Sequence, residues 1–132
     1  MGKRYLIDTN PIIDFLGELL PANGRKFMQD ISPVISVITE IELLSGKNIS
    51  PSGQLKINSF LKTPFVYNIL DTDIVQRTVA IRKQHNIKLP DAIIAATALV
   101  NGLDLITHNT SDFKNIPGLK VIDPWNLPRW II

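Results

Sequence analysis

Short apolar segments alternate along this chain with longer segments in which apolar residues recur at helical spacing. Strands that alternate with helices form βαβ units, which predict a parallel sheet with right-handed crossovers. The segments expected to form strands are Tyr5–Ile7, Val34–Ser36, Phe65–Ile69, Asp104–Ile106 and Lys120–Ile122. The segments expected to form helices are Pro11 to about Leu16, Asn23–Asp30, Ile38 to a stop at Gly46, Ser52–Leu61, Asp71–His85 and an alanine-rich helix from Pro90 to about Asn101. The sequence therefore predicts an α/β fold.

Length and composition narrow the class of protein further. The 132 residues suit one domain, spanning 1–132, with one hydrophobic core. No apolar run approaches the ~18 residues that a membrane span requires. The absence of cysteine excludes disulfides and thiolate metal sites, and it agrees with an expected cytoplasmic location. A net charge of +2 permits nucleic-acid binding but does not by itself indicate it.

Several acidic residues follow or flank the predicted strands. In open parallel sheets, ligands bind beyond the carboxyl ends of the strands. Asp8 follows the first strand and Asp112 follows the fourth, so both are expected at that edge, whereas Asp104 begins the fourth strand at the opposite edge. Asp91 lies in the first turn of its helix, where a carboxylate also complements the helix dipole by ~0.3–1 kcal/mol. For each acid taken singly, a solvated surface role is the ordinary alternative.

Two glutamates compete for a place beside these acids. Glu40 and Glu42 stand on either side of Ile41, at which the apolar stripe of their helix is expected to centre. Residues two apart point to nearly opposite flanks of a helix. Periodicity therefore leaves both glutamates open.

We consider the hypothesis that Asp8, one glutamate, Asp91 and Asp112 converge in one pocket. Two like charges 4 Å apart repel by about 4 kcal/mol at an effective dielectric constant of ~20, so a structural protein would avoid this cluster. A divalent cation removes the penalty, and hard cations such as Mg²⁺ and Mn²⁺ prefer oxygen ligands. His85 and His108 are the only histidines, which argues against a histidine-based zinc site. His108 is expected in a loop, in reach of a substrate.

Four sequence blocks carry a resemblance to a known family. They are LIDTNPIID at 6–14, SVITEIELLSG at 36–46, LPDAIIAATAL at 89–99 and LITHNTSDF at 105–113. With these blocks in this order over nearly the whole chain, the sequence resembles PIN-domain ribonucleases, and more narrowly the VapC-type toxins of toxin–antitoxin pairs.

The resemblance implies roles for particular residues. A family pattern of the form T-x-x-E-L matches residues 39–43 and makes Glu42 the second acid. Asp8, Asp91 and Asp112 match the first, third and fourth acids. The polar residues that the resemblance implies as supports for the acids are Asn10, Thr107 and Asn109. It also implies a PIN-like three-layer sandwich, with strand order 3-2-1-4-5 and helices on both faces of the sheet.

The function implied is metal-dependent hydrolysis of RNA phosphodiester bonds. The acids would hold Mg²⁺ or Mn²⁺, with Asp8 and Asp91 as principal ligands, and the ion would activate a water molecule. The expected partners are an RNA substrate, a cognate antitoxin and a second copy in a homodimer, to which the tail with Trp125 and Trp130 could offer apolar surface. Candidate cations for RNA phosphates are Arg25, Lys26, Arg77, Arg82, Lys83 and Lys88.

Two other functions are compatible with parts of the pattern. A phosphatase of the haloacid-dehalogenase type also begins with an apolar strand and an acid. It would need an aspartate in place of Asn10 and a downstream lysine near the site, so Asn10 argues against it. A PIN-like RNA-binding or scaffolding module without catalysis would be favoured by missing acids, and here none of the four is missing.

Overall fold

The computed structural model describes residues 4–67 and 70–131. The strands are β1 (Tyr5–Ile7), β2 (Val34–Ser36), β3 (Phe65–Tyr67), β4 (Asp104–Ile106) and β5 (Val121–Ile122). The helices are α1 (Thr9–Leu16), α2 (Ala22–Asp30), α3 (Val37–Ser45), α4 (Pro51–Phe60), α5 (Thr72–Gln84) and α6 (Leu89–Val100), with 3₁₀ turns at Thr110–Asp112 and Arg129–Ile131. This order confirms the predicted alternation. The predicted end of the third strand, at residues 68–69, lies outside the described residues.

The strands pair in parallel, as predicted. β1 pairs with β4 and β4 pairs with β5, while β2 pairs with β3 in a separate ladder. The predicted order 3-2-1-4-5 is therefore confirmed as the two runs 3-2 and 1-4-5. β2 lies beside β1, but no ladder joins them in the described part of the chain.

Helices cover both faces of the sheet and form two hydrophobic clusters. Successive residues of a strand point to opposite faces, so Leu6 joins one cluster and Ile7 the other. The first cluster includes residues of α5 and α6, and the second includes residues of α1, α2, α3 and α4. The result is the three-layer α/β arrangement. Within residues 4–67 and 70–131, no helix combines the length and apolar character that crossing a membrane requires.

The buried face of α3 differs from the predicted one. Ile41 is 53% exposed and Leu44 is 54% exposed, whereas Thr39 and Leu43 are buried. The reason lies at the start of the helix, where the Ser36 side chain caps α3 by accepting the backbone N–H of Ile38 at 3.0 Å. The end of β2 and this cap set the rotation of α3, and they override the apolar periodicity.

The segment after β5 packs on its own chain. Trp125 lies against the cluster formed with α1 and α2, whereas Trp130 is 57% exposed beneath the Nζ of Lys120, which is 3.8 Å from the ring centroid. A Cβ atom added to Gly24 in α2 would stand 2.0 Å from the carbonyl oxygen of Pro124. Only a glycine allows α2 to approach this segment so closely.

We expect Gly24→Ala to destabilise the fold by about 1–3 kcal/mol, because the added methyl group would meet backbone that cannot swing aside. Gly53→Ala in α4 is the matched control, since a Cβ there would meet only the side chains of Ile49 and Ser50, at 3.1 Å. Replacing a helical glycine by alanine gains up to about 1 kcal/mol of helix propensity. Urea unfolding of both variants measures the difference, and equal stabilities would contradict the close approach.

Candidate active site

Asp8 stands where β1 ends and α1 begins. Its backbone N–H donates to the Ile106 carbonyl at 2.9 Å, which ties it to β4. Its carboxylate accepts the backbone N–H of Thr9 at 2.8 Å on Oδ1 and the hydroxyl of Thr107 at 2.9 Å on Oδ2. Burial raises the pKa of Asp8 above its ordinary value, the hydrogen bonds from Thr9 and Thr107 oppose that rise, and the charge of Glu42 adds to it. The fold thus holds a carboxylate at a place that disfavours its charge.

The loop after β4 connects two of the predicted acids. The Thr107 hydroxyl, which donates to Asp8, also accepts the backbone N–H of Asn109 at 3.1 Å. The side-chain amide of Asn109 in turn donates to Oδ2 of Asp112 at 2.5 Å. The residues Thr107–Asn109 therefore contact the first and fourth acids together.

Asn10 bridges this loop to Asp8. Its Oδ1 accepts the backbone N–H of His108 at 2.9 Å. This contact turns its Nδ2 toward Asp8 Oδ2 and Thr107 Oγ1, each 3.5 Å away. All three polar residues that the resemblance implied as supports thus lie in contact with an acid or with one another.

Glu42 is an exposed residue of α3 that faces α1. Its Oε1 accepts the hydroxyl of Thr9 at 2.6 Å. Its charge raises the pKa of both Asp8 and Asp91, and the charge of Glu40 is not among the causes of either shift. The two glutamates that periodicity left open therefore occupy electrostatically different positions.

The pKa of Asp91 depends on the other three acids. Its side chain is half-buried in the first turn of α6, and its pKa is raised to about 6. Burial is the largest cause, and the charges of Asp8, Asp112 and Glu42 raise the pKa further, while Lys88 lowers it. The charges of the other three acids therefore all reach Asp91.

Two predicted placements concern Asp104 and His108, which do not belong to this group of acids. Asp104 pairs with Tyr5 at the start of both strands, which is the amino edge of the sheet. The ring of His108 lies against Asp123, with Nδ1 3.1 Å from each carboxylate oxygen. Asp104 thus lies at the opposite edge of the sheet from Asp8, as predicted, and the Nδ1 side of the His108 ring faces Asp123.

The donor chemistry of the four acids fits a hard divalent cation. All four offer carboxylate oxygens, which Mg²⁺ and Mn²⁺ prefer. In the part of the chain that the structure describes, no group of three or more His, Asp or Glu side chains is arranged as a ready cage for an ion. Mg²⁺ keeps several waters and is usually bound through one or two carboxylates. The arrangement therefore suits an ion held by few protein ligands, with water completing its coordination.

Sequence reasoning did not select two residues that contact the site. Thr9 donates to Glu42, and Asp123 holds the ring of His108. The rule that ligands gather at the carboxyl ends of parallel strands could have found Asp123, because it directly follows β5. Thr9 lies beside Asp8 in the chain, but its partner on α3 depends on how the two helices pack.

Comparisons with known proteins were made by family model and by structure. Residues 5–119 match the model of the PIN domain family. A solved toxin–antitoxin complex from Klebsiella pneumoniae contains a chain that is 35% identical, with a TM-score of 0.72 over 93% of this chain and 99% of that chain. The DNA-bound VapBC from Salmonella typhimurium gives 26% identity and a TM-score of 0.75, over 93% of this chain and 99% of that one. A chain of VapBC-1 from nontypeable Haemophilus influenzae is 26% identical, with a TM-score of 0.72 over 92% of this chain and 98% of that chain. A search of curated proteins found no significant match.

The raised pKa of Asp91 predicts how stability depends on pH in the metal-free protein. Between the ordinary value of 3.8 and about 6, the folded chain binds more protons at this residue than the unfolded chain does. The stability that the protonated side chain of Asp91 gives the fold is therefore fully present below pH 3.8. It is lost as the pH rises through about 6, where the side chain ionises in the folded chain. We expect Asp91→Asn to raise the melting temperature relative to wild type at about pH 7.5 and to change it little at about pH 3.5.

Melting curves in EDTA across this pH range measure the effect. Asp73→Asn is the control, because Asp73 is an exposed acid in the first turn of α5. A difference in melting temperature between Asp91→Asn and wild type that stays constant with pH would contradict the raised pKa of Asp91.

Proposed function

The chain belongs to the PIN domain family, and on that premise we propose that it is a metal-dependent ribonuclease, the toxin of a toxin–antitoxin pair. The observation that carries the proposal is the convergence of three other carboxylates on Asp91, whose pKa is raised to about 6 by burial first and then by the charges of Asp8, Asp112 and Glu42. A cluster of this kind is costly without a cation. The 35% identity to a chain of a toxin–antitoxin complex, over 93% of this chain, supports the same reading.

We assign Asp8 and Asp91 as the principal ligands of the ion, and Glu42 and Asp112 as ligands directly or through water. A bound Mg²⁺ or Mn²⁺ would supply an activated water and offset charge on the phosphate oxygens. The assignment of Asp8 and Asp91 rests on their shifts, since both pKa values are raised by burial and by neighbouring acids.

The protein's own contribution is to hold these carboxylates in place. Donors on both oxygens of Asp8 fix the rotation of its carboxylate. Thr9 holds Glu42 toward Asp8, and Asn109 holds Asp112. Carboxylates fixed in this way need little rearrangement when substrate binds, which lowers the barrier to reaction.

Lys88 is a predicted cation whose charge reaches one of the acids, Asp91. Lys88 directly precedes the first residue of α6 and is exposed, and its charge lowers the pKa of Asp91. Lys26, by contrast, pairs with Asp30 at 3.0 Å on α2. We therefore assign Lys88 to a phosphate of the RNA, which it would bind by charge and without reading sequence.

The proposed antitoxin needs a surface that can receive a peptide. A groove of about 650 Å³ opens between α1, α2 and α4, and its apolar lining includes Phe15, Leu16, Met28, Ile31, Leu55 and Phe60. The described residues that line it include none of the four acids. We assign this groove to apolar side chains of the antitoxin, because its lining is largely apolar and lies apart from the four acids.

The first test is RNA cleavage by Asp91→Asn. This change keeps the shape of the side chain and removes its charge. We expect the rate of cleavage with Mg²⁺ or Mn²⁺ to fall at least about a hundredfold, the scale on which one electrostatic group lowers kcat. In EDTA at about pH 7.5 the melting temperature of this variant should not fall below that of wild type, because repulsion among the acids is relieved.

Asp73→Asn again serves as the control, since it removes a first-turn helical acid away from the site. A folded Asp91→Asn variant that cleaves RNA at the wild-type rate would show that this acid serves its helix and not the chemistry. Titration with Mn²⁺, with Asp8→Asn as comparison, separates the enzyme from a non-catalytic RNA-binding module. Wild type that binds RNA but neither binds Mn²⁺ nor cleaves RNA would support the module.

We also propose that the chain forms a homodimer through exposed apolar side chains. Val75 and Val79 lie one turn apart on α5 and are 48% and 49% exposed. Light scattering at micromolar concentration should give twice the 14.8 kDa of one chain. Val79→Lys should reduce the measured mass, while Leu19→Lys, on a similarly exposed residue outside α5, should not. A wild-type monomer would contradict the proposal.

A further inference from the structure

The loop Thr107–Asn109 contacts two of the four acids at once. Thr107 donates to Asp8, and the side chain of Asn109 donates to Asp112. The backbone of the same loop also fixes Asn10 through the N–H of His108. The position of this loop therefore decides how the carboxylates of Asp8 and Asp112 lie relative to each other.

The side chain of His108 attaches this loop to the segment after β5. Its Nδ1 lies 3.1 Å from both carboxylate oxygens of Asp123. An ionised carboxylate only accepts hydrogen bonds, so Nδ1 carries the proton and donates it. The imidazole also lies 5.5 Å from the ring of Trp125, between centroids, at an angle of 41°. Because the His108 side chain is 51% exposed, these contacts hold it and burial in the core does not.

Asp123 is itself firmly held. Its side chain is 13% exposed, and it accepts the backbone N–H of Trp125 at 2.9 Å and the side-chain amide of Asn126 at 3.2 Å. Trp125 continues the path, since its Nε1 donates to Asp14 of α1 at 2.8 Å. The close approach of α2 to the same segment adds a second anchor. We call residues Asp123–Asn126 the brace.

The brace lies outside residues 5–119, which match the family model. We propose that Asp123 is a positioning residue, which acts through His108 to hold the loop Thr107–Asn109 in the arrangement that cleavage requires. The expected effect of Asp123 on cleavage rests on the proposed function. The expected effect of Asp123 on the loop rests only on the hydrogen bonds of the free protein. The competing role is a direct contact of His108 Nε2, the ring nitrogen that does not face Asp123, with RNA.

Two substitutions at position 108 separate these roles. In His108→Asn, the side-chain amide nitrogen takes the place of Nδ1 and can still donate to Asp123. In His108→Gln, the longer side chain places its amide near the position of Nε2. A positioning role predicts that the asparagine variant works and the glutamine variant fails, and a substrate contact predicts the reverse.

Steady-state cleavage of a single-stranded RNA with Mg²⁺ gives the first readout. We expect His108→Gln and Asp123→Ala each to lower kcat about tenfold, at the low end of the effect of hydrogen bonds that orient metal ligands. KM should change less than about twofold, and His108→Asn should stay within about threefold of wild type. The double variant His108→Gln, Asp123→Ala should lose no more than Asp123→Ala alone, because the two residues act as one unit.

Amide hydrogen exchange, followed by NMR without RNA or metal, gives the second readout. The backbone N–H groups of His108 and Asn109 donate to Asn10 and Thr107, so their exchange reports on the order of the loop. Asp123→Ala and His108→Gln should accelerate exchange at both amides about tenfold. His108→Asn should leave both amides protected as in wild type.

Each outcome decides between the two roles. Unchanged exchange in Asp123→Ala, or an active His108→Gln beside an inactive His108→Asn, overturns the proposal. If wild type cleaves no RNA, the proposed function fails, and exchange alone then decides whether Asp123 positions the loop. If Asp123→Ala does not fold, the two His108 variants carry the test, since both leave the contact of Asp123 with Trp125 in place.

Discussion

The buried carboxylate of Asp8 is the constraint on which the rest of the site depends. Only 5% of the residue is exposed, and a charge placed there persists only if donors surround it. One donor, Thr9, comes from the start of the following helix, and the other, Thr107, comes from the loop after the neighbouring strand. Thr107 can donate only if that loop is held, and the same loop carries the contact with Asp112. Satisfying one buried charge thus organises a second acid.

The layers of the fold were predictable because they follow from local patterns. Apolar runs such as Tyr5–Ile7 and helical periodicity predicted the order of the elements. They did not predict which face of α3 is buried. The rotation of α3 depends on the side-chain cap at its start and on the packing of Thr39, whose hydroxyl lies 3.4 Å from that of Thr9. Periodicity predicted a stripe centred on Ile41, which was wrong, since Ile41 is exposed and Thr39 and Leu43 are buried. Among the described residues no ladder joins β1 to β2, and this too is a tertiary property, which no short segment encodes.

The candidate site was predictable to the extent that its residues follow strands. The edge rule selected Asp8 and Asp112, and the resemblance, rather than periodicity, selected Glu42. The contact between His108 and Asp123 could not be read from the chain, because it requires β5 to lie beside β4 in the observed register. The tail offered an apolar composition that suggested a surface, but Trp125 is partly buried in its own domain. An apolar composition shows that a segment can bury a surface, but it does not show whether that surface belongs to its own chain or to a partner.

The parallel pairing of β1 with β4 has a consequence for the order of folding. Thr107 and Asp8 are 99 positions apart in the sequence, so their hydrogen bond closes a very long loop. Such contacts slow folding much more than they weaken the final structure. A chain that ends before β4 contains Asp8 but lacks the strand and the hydroxyl that hold its carboxylate. The carboxylate of Asp8 is therefore held in place only after β1 and β4 have paired, late in the assembly of the sheet.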